Sequence, residues 1–397
     1  MPLISHSDLP TFDRLRSEGH VVLTPERARS QDIRPLHIGL LNMMPDAALA
    51  ATERQFFRLI SSSNSVSQFM VHPFTLPQIE RSAHARQHIE RYYEPIESIY
   101  ERGLDALIIS GANVTRPNLA EEVFWEPLIE LIDWASTNVT STLCSCLASH
   151  AVLQFRYKQP RRHLPAKQWG VFSHDVCDMS HPLVSGINTR FDVPHSRFNA
   201  VDPHQFREAG LHVLAEGEEP GVQLAVSSDG FRMVFFQGHP EYDRVSLLKE
   251  YKREIGLYID GKRDTYPPFP DNYFDDHCRA LLNEFQISIE NAVSDKSATD
   301  GVDSVDLPDF PENRLLARLH NTWHDSGEAV VGNWIGHVYQ LTHSDRRLPF
   351  MDGIDPDDPL GWLGRKQAMA ESGSTDLTSA ELLATGAFVA AKSPELP

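Results

Sequence analysis

Residues 140–155 read Thr140-Ser141-Thr142-Leu143-Cys144-Ser145-Cys146-Leu147-Ala148-Ser149-His150-Ala151-Val152-Leu153-Gln154-Phe155. A short strand, Thr140 to Cys146, enters a cluster of small residues, and a helix leaves from Ala148 to Phe155. A cysteine at such a strand-to-helix turn is presented at the carboxyl end of a sheet, where open α/β sheets bind their ligands. The helix N-terminus lowers the thiol pKa, which makes Cys146 a candidate nucleophile near neutral pH. The backbone N–H of Leu147 then points at an oxyanion on the attacked carbonyl. Free cysteines are more often packing residues. Cys144, inside the strand two residues earlier, reads that way.

The chain upstream repeats the same alternation. Leu36 to Met43 is an apolar run ending at Pro45, followed by helical spacing from about Ala47 to Ile60. Phe69 to Leu76 reads as a strand, and Ser82 to Arg102 as a helix that Pro95 kinks. Leu104 to Ser110 is a strand stopped by Gly111, and Phe124 to Trp134 is an amphipathic helix. Continuous apolar strands alternating with helices predict an α/β fold with a mostly parallel open sheet flanked by helices. Downstream, Gly170–Val176, Leu211–Ala215, Val222–Ser227 and Phe231–Gln237 are closely spaced strands, the last two joined at Asp229-Gly230, a hairpin signal. They predict an antiparallel extension, after which Asp243 to Ile259 returns to helix.

These elements define one catalytic-size domain over 35–345. Residues 1–34 read as a polar, irregular arm lying on it. About 276–312 reads as an insertion, with a long loop over 284–312. Leu315, Leu316, Trp323, Trp334, Ile335, Val338 and Tyr339 are the apolar anchors that pack the following stretch back. Residues 346–397 form a tail rich in Asp, Pro, Gly and Ser, with a helix suggested around Thr378–Ala391 and disorder its alternative.

Composition narrows the function classes. The 397 residues carry 36 basic and 55 acidic side chains, a formal charge of −19, which argues against nucleic acid and anionic membrane as partners. No run approaches the roughly 20 apolar residues of a membrane span, and Met1 to Arg16 lacks the features of a signal peptide. Four cysteines, Cys144, Cys146, Cys177 and Cys278, are too few for a disulfide scaffold and fit a reducing cytoplasm.

Two further stretches supply chemistry. Gly238-His239-Pro240-Glu241 follows a strand, so His239 can take a proton while Glu241 orients it. Taken alone, a histidine and a glutamate near a turn are ordinary surface residues; a candidate nucleophile upstream gives them a role. Ser110-Gly111-Ala112-Asn113-Val114-Thr115 closes another strand, and an N–H of Gly111 or Ala112 can be a second oxyanion donor. No metal-ligand spacing stands out.

The order Cys…His-x-Glu on an α/β sheet resembles class I glutamine amidotransferase-like (flavodoxin-like) domains, although Ser145 and Ala148 stand near Cys146 where those favour glycine. The sequence is more similar to the homoserine O-succinyltransferase family (homoserine O-acetyl/succinyltransferases of methionine biosynthesis). The matching stretches are Ile33-Arg34-Pro35-Leu36, Leu41-Asn42-Met43-Met44-Pro45, Thr52-Glu53-Arg54-Gln55-Phe56, Thr140-Ser141-Thr142-Leu143, Pro194-His195-Ser196-Arg197, Gly238 to Asp243, and Trp334 with Val338-Tyr339-Gln340.

The resemblance implies Cys146 as acyl-thioester nucleophile, His239 as general base and Glu241 as its partner. It implies Arg253 on the amino-acid carboxylate, Lys167 and Ser196 as substrate contacts, and Thr115 at the position tied to acyl-donor choice. It also implies succinyl-CoA (or acetyl-CoA) as co-substrate with no bound cofactor, L-homoserine as acceptor, and a homodimer. Two departures stand out. Asp46 and Ala47 follow Pro45 where the family often has a basic residue, and Thr115 is neither the glutamate of acetyl-type nor the glycine of succinyl-type members. Neutral Thr115 does not repel a succinyl carboxylate as glutamate would, which favours the succinyl donor. The rivals are an acetyl donor or serine acceptor, a glutaminase-type hydrolase, and a non-catalytic module. For anionic substrates, this acidic chain must gather cations such as Lys167, Arg197 and Arg253 at one cleft.

Overall fold

The computed structural model describes residues 2–63, 67–298 and 307–372. Its strands are β1 (Leu3–Ile4), β2 (Val22–Leu23), β3 (Leu36–Met43), β4 (Phe69–Phe74), β5 (Ala106–Ala112), β6 (Ser141–Ser145), β7 (Arg162–Val176), β8 (Arg190–Ala200), β9 (His212–Gly217), β10 (Gly221–Val226) and β11 (Met233–Phe236). Its helices are α1 (Pro10–Ser17), α2 (Pro25–Arg29), α3 (Asp46–Ser62), α4 (Ala83–Tyr92), α5 (Ile96–Arg102), α6 (Trp125–Asn138), α7 (Leu147–Tyr157), α8 (Pro203–Glu208), α9 (Ser246–Ile259), α10 (Asp276–Ala298), α11 (Glu312–Leu316), α12 (His324–Leu341) and α13 (Trp362–Ser372).

The strands form one sheet in the order β2-β1-β4-β3-β5-β6-β11-β10-β9-β7-β8. From β2 to β11 every pairing is parallel, and from β11 to β8 every pairing is antiparallel. The fold is therefore mixed α/β, with the mostly parallel sheet and antiparallel extension that the sequence predicts. The central strands are apolar at consecutive positions because both faces are covered. Ile108 packs into the core on one face and Ile109 into the core on the other. The chain passes from β3 to β4 on one side, then crosses back to β5 on the other. That reversal opens a crevice at the carboxyl ends of β3 and β5, beside the end of β6.

Several elements differ from the sequence reading. Pro95 breaks the helix of 82–102 into α4 and α5. The arm is not irregular: Leu3, Leu9, Phe12 and Leu15 are buried, and β1 extends the parallel sheet against β4. Two-residue strands are too short to leave a periodic pattern. The stretch read as a loop from 284 begins inside α10. There Cys278, Leu282, Phe285 and Ile289, spaced four, three and four apart, bury one helical stripe beside Tyr251 and Trp323. Strand β8 was not anticipated; charged and polar residues interrupt its apolar pattern. Of the anchors in 313–345, Leu315, Trp323, Trp334, Ile335 and Val338 are buried, but Tyr339 faces solvent.

The first part of the tail is docked. Fully buried Asp105 accepts from Arg34, Thr342 and Arg346, and Trp362 packs edge-on against His181 and His212. The helix suggested at Thr378–Ala391 lies outside the described residues. Among the described residues no helix is long and apolar enough to cross a membrane.

Candidate functional site

Cys146 sits between β6 and α7 with φ 51° and ψ −106°. A non-glycine residue there is strained, and the surroundings fix it. Its N–H donates to the Phe236 carbonyl at 2.7 Å, and its own carbonyl accepts from the Ser149 N–H. The Ser149 hydroxyl lies 2.8 Å from the Cys144 carbonyl and 3.0 Å from that of Phe236, tying the turn to β6 and β11. Gly111, at the end of β5, lies under the thiol. A Cβ there would meet Cys146 Cβ at 3.9 Å and Met44 Sδ at 3.5 Å. Cys144 is fully buried, and burial pushes its thiol up to about 12, in keeping with a packing role.

His239 is delivered by the end of β11. A side chain at Gly238 would collide with Gln223, His195 and Val193, so only glycine admits the turn. The His239 N–H donates to the Pro194 carbonyl of β8 at 2.8 Å. Its Nδ1 pairs with Glu241 Oε1 at 2.8 Å, and its ring stacks on Tyr242 with centroids 4.4 Å apart. Burial disfavours the imidazolium, but Glu241 and Cys146 outweigh it and raise the His239 pKa well above its usual value. Burial likewise disfavours the Cys146 thiolate, and the hydrogen-bonded His239 and the Arg197 guanidinium outweigh it, lowering the thiol. The geometry therefore favours a thiolate–imidazolium pair.

Both residues open onto a cleft of about 860 Å³. Gly111, Ala112, Thr115, Cys146, Leu147, Lys167, Ser196, His239 and Arg253 all line it. Glu241 does not, and stands behind His239. Arg116, Arg161, Lys167, Arg197 and Arg253 bring five cations to the described lining, against the one carboxylate of Glu250. An acidic chain thus presents a basic cleft, suited to anionic ligands.

Glu250 is, with Arg161, a lining residue that the sequence reading missed. From α9 it accepts from Tyr242 at 3.0 Å, Ser196 at 2.6 Å and Lys167 at 3.1 Å. Burial opposes its charge, yet Lys167 and the two hydroxyls hold it below the usual carboxylate range. It lies three residues before Arg253, on the same helix face, and that spacing was the available signal. Arg253 stands at the mouth, 57% exposed. Behind Met44 and Pro45, where the sequence lacks the family's basic residue, Arg81 donates to the Met44 carbonyl and pairs with Asp46.

Among the described residues, one cluster has metal-ligand chemistry. His6, His72 and Glu94 bring their ligand atoms within 4.8 Å of one another. The Arg102 guanidinium already occupies the cation position, 2.6 Å from Glu94 and 2.8 Å from His72 Nδ1.

The central strands run in the order β4-β3-β5-β6-β11, with Cys146 directly after β6 and His239-Pro240-Glu241 after β11. A glutamine amidotransferase from Thermotoga maritima is similar over 77% of this chain and 98% of its own, at 10% identity and a TM-score of 0.40. The homoserine O-succinyltransferase family model matches residues 2–344, and the chain belongs to that family of transferases. The match takes in the N-terminal arm. The homoserine O-succinyltransferase of Allochromatium vinosum is 63% identical over 361 residues, covering 91% of this chain and 99% of the relative. That of Nitrosococcus oceani is 62% identical with the same coverage, and that of Thioalkalivibrio nitratireducens 59% over 362 residues, again covering 91% and 99%.

Proposed function

We propose that this protein transfers a succinyl group from succinyl-CoA to the hydroxyl of L-homoserine by a ping-pong route through Cys146, in methionine biosynthesis. The observation that carries the reading is the Cys146–His239–Glu241 arrangement, charge-paired and opening onto a basic cleft. Family membership supports the substrates.

The Cys146 thiolate attacks the thioester carbonyl, and the N–H groups of Leu147 and of Gly111 or Ala112 receive the oxyanion. The carbon–sulfur bond to CoA breaks, and the leaving thiolate takes the proton held by His239. The acyl group is now a thioester of Cys146. Homoserine enters with its carboxylate on Arg253 and its amino-acid end beside Lys167 and Ser196. Neutral His239, oriented by Glu241, takes the hydroxyl proton as the oxygen attacks. Collapse expels the Cys146 thiolate beside the imidazolium already formed, so the starting ion pair returns and each half-reaction restores what the other consumed.

The succinyl donor is favoured by Thr115, which is neutral. Its N–H and hydroxyl are turned to Glu122, at 2.6 Å and 3.4 Å.

The test is a panel of acyl-CoA donors and hydroxy amino acid acceptors, read as CoA release. The reading predicts the highest kcat/KM for succinyl-CoA with L-homoserine. A preference for acetyl-CoA or serine would replace the substrates named here. Ammonia release from glutamine without CoA would replace the reaction.

A further inference from the structure

A donor with a carboxylate at its far end needs a cation in the cleft, apart from the one that takes the amino-acid carboxylate. Four of the five lining cations are engaged or displaced. Lys167 is paired with Glu250, and Arg253 lies at the mouth. Arg116 is exposed. Arg197 is buried and points Nε, Nη1 and Nη2 at fixed acceptors: His195 Nδ1, the Asn199 carbonyl and the Pro220 carbonyl.

Arg161 differs. It stands half-buried just before β7, and its Nη2 donates to the carbonyls of Arg116 at 3.1 Å and Pro117 at 3.4 Å. Its Nε is shut off from solvent and has no partner among the described residues. The nearby carboxylate, Glu122, is taken up elsewhere: it accepts from the N–H groups of Thr115 and Arg116, both at 2.6 Å. The 115–117 loop is thus clamped, its amides on a carboxylate and its carbonyls on a guanidinium. A half-buried guanidinium whose Nη2 meets only carbonyls and whose buried Nε meets no acceptor is poorly compensated. Burial lowers the Arg161 pKa, and the charges of Glu122 and Cys146 act in the opposite direction. Arg161 lines the same cleft as Cys146, the volume in which an acyl group on that thiol would lie.

We propose that Arg161 binds the distal carboxylate of the succinyl donor, an inference that rests on the acyl-transfer reading above. Bidentate guanidinium–carboxylate pairing supplies the compensation that the two carbonyls do not. It also gives a reason why residue 115 bears on donor choice: the loop it belongs to sets the guanidinium.

The experiment measures kcat/KM for succinyl-CoA and acetyl-CoA with the wild-type protein, Arg161→Gln and Arg161→Lys. Arg161→Gln is expected to lower the succinyl-CoA value about a hundredfold, with acetyl-CoA changed less than about threefold because it has no carboxylate to lose. Arg161→Lys is expected to recover part of the loss with succinyl-CoA alone. Equal losses with both donors would show that Arg161 serves CoA or the fold, and would overturn the proposal, as would no loss with either. A wild-type protein that itself prefers acetyl-CoA would overturn the succinyl reading first, an outcome visible before any variant is made.

Discussion

Glu250→Gln removes one charge from a buried group of four and leaves its shape. The carboxylate accepts from two hydroxyls and from Lys167, all within 3.1 Å. A glutamine oxygen can still serve one hydroxyl, but its NH₂ faces a donor where a second acceptor stood. Lys167 loses its partner and keeps the Trp169 face, 4.2 Å from Nζ, which is worth about 0.5–1 kcal/mol. Breaking a largely buried charge pair from one side costs about 2–5 kcal/mol. With the retained cation–π contact, the expected loss of stability near neutral pH is about 2–3 kcal/mol. The sign with pH follows from the lowered Glu250 pKa. Its contribution is complete above the unfolded-state value of about 4.3 and is lost as pH falls through the folded one. Urea unfolding of both proteins, stepped down from neutral pH, should therefore show the difference shrinking below about pH 4.5. Acceptor KM should rise in the variant, because Lys167 and Ser196 lose their common anchor. A difference under about 0.5 kcal/mol, or one that stays constant down the pH series, would refute the reasoning.

Three further outcomes follow from the same geometry. Alkylation of Cys146 by iodoacetamide should stay fast at pH 7 and slow only at lower pH, whereas in His239→Ala burial is uncompensated and the rate should rise only above about pH 8.5; identical profiles would deny the ion pair. Gly111→Val fills the space beside the thiol and should cut kcat about a hundredfold or more with little change in melting temperature, on the scale of losing an oxyanion donor. Trp362→Ala should open the docked 346–372 segment to protease and cost up to about 3–5 kcal/mol, since the indole is buried and donates to Ser180; unchanged proteolysis would show that the segment is held elsewhere.

The parallel half of the sheet was legible because its strands are unbroken apolar runs between amphipathic helices. Cys146, His239 and Glu241 were legible because each follows a strand at the carboxyl edge, where topology gathers them. Other parts were not. Strand β8 carries Pro194, His195, Ser196 and Arg197, a motif whose polar residues give no strand pattern until the antiparallel partner β7 is known. Yet it supplies the carbonyl that holds His239 and four lining residues, Ser196, Arg197, Phe198 and Asn199. Glu250 was hidden for another reason: an acidic residue on a helix is ordinarily solvated, and only the fold brings Lys167, Ser196 and Tyr242 to it across 83, 54 and 8 residues of chain. The stripe of α10 was present in the sequence, and the polar stretch that follows it obscured it.

The central claim is that Cys146 carries the acyl group between two half-reactions. Mass spectrometry of the intact protein mixed with succinyl-CoA, with no acceptor present, tests it most directly. The account predicts one added succinyl group, mapped to Cys146, lost on adding L-homoserine and absent in Cys146→Ala. An adduct on another residue, one that persists in Cys146→Ala, or turnover with no adduct under single-turnover conditions would contradict it.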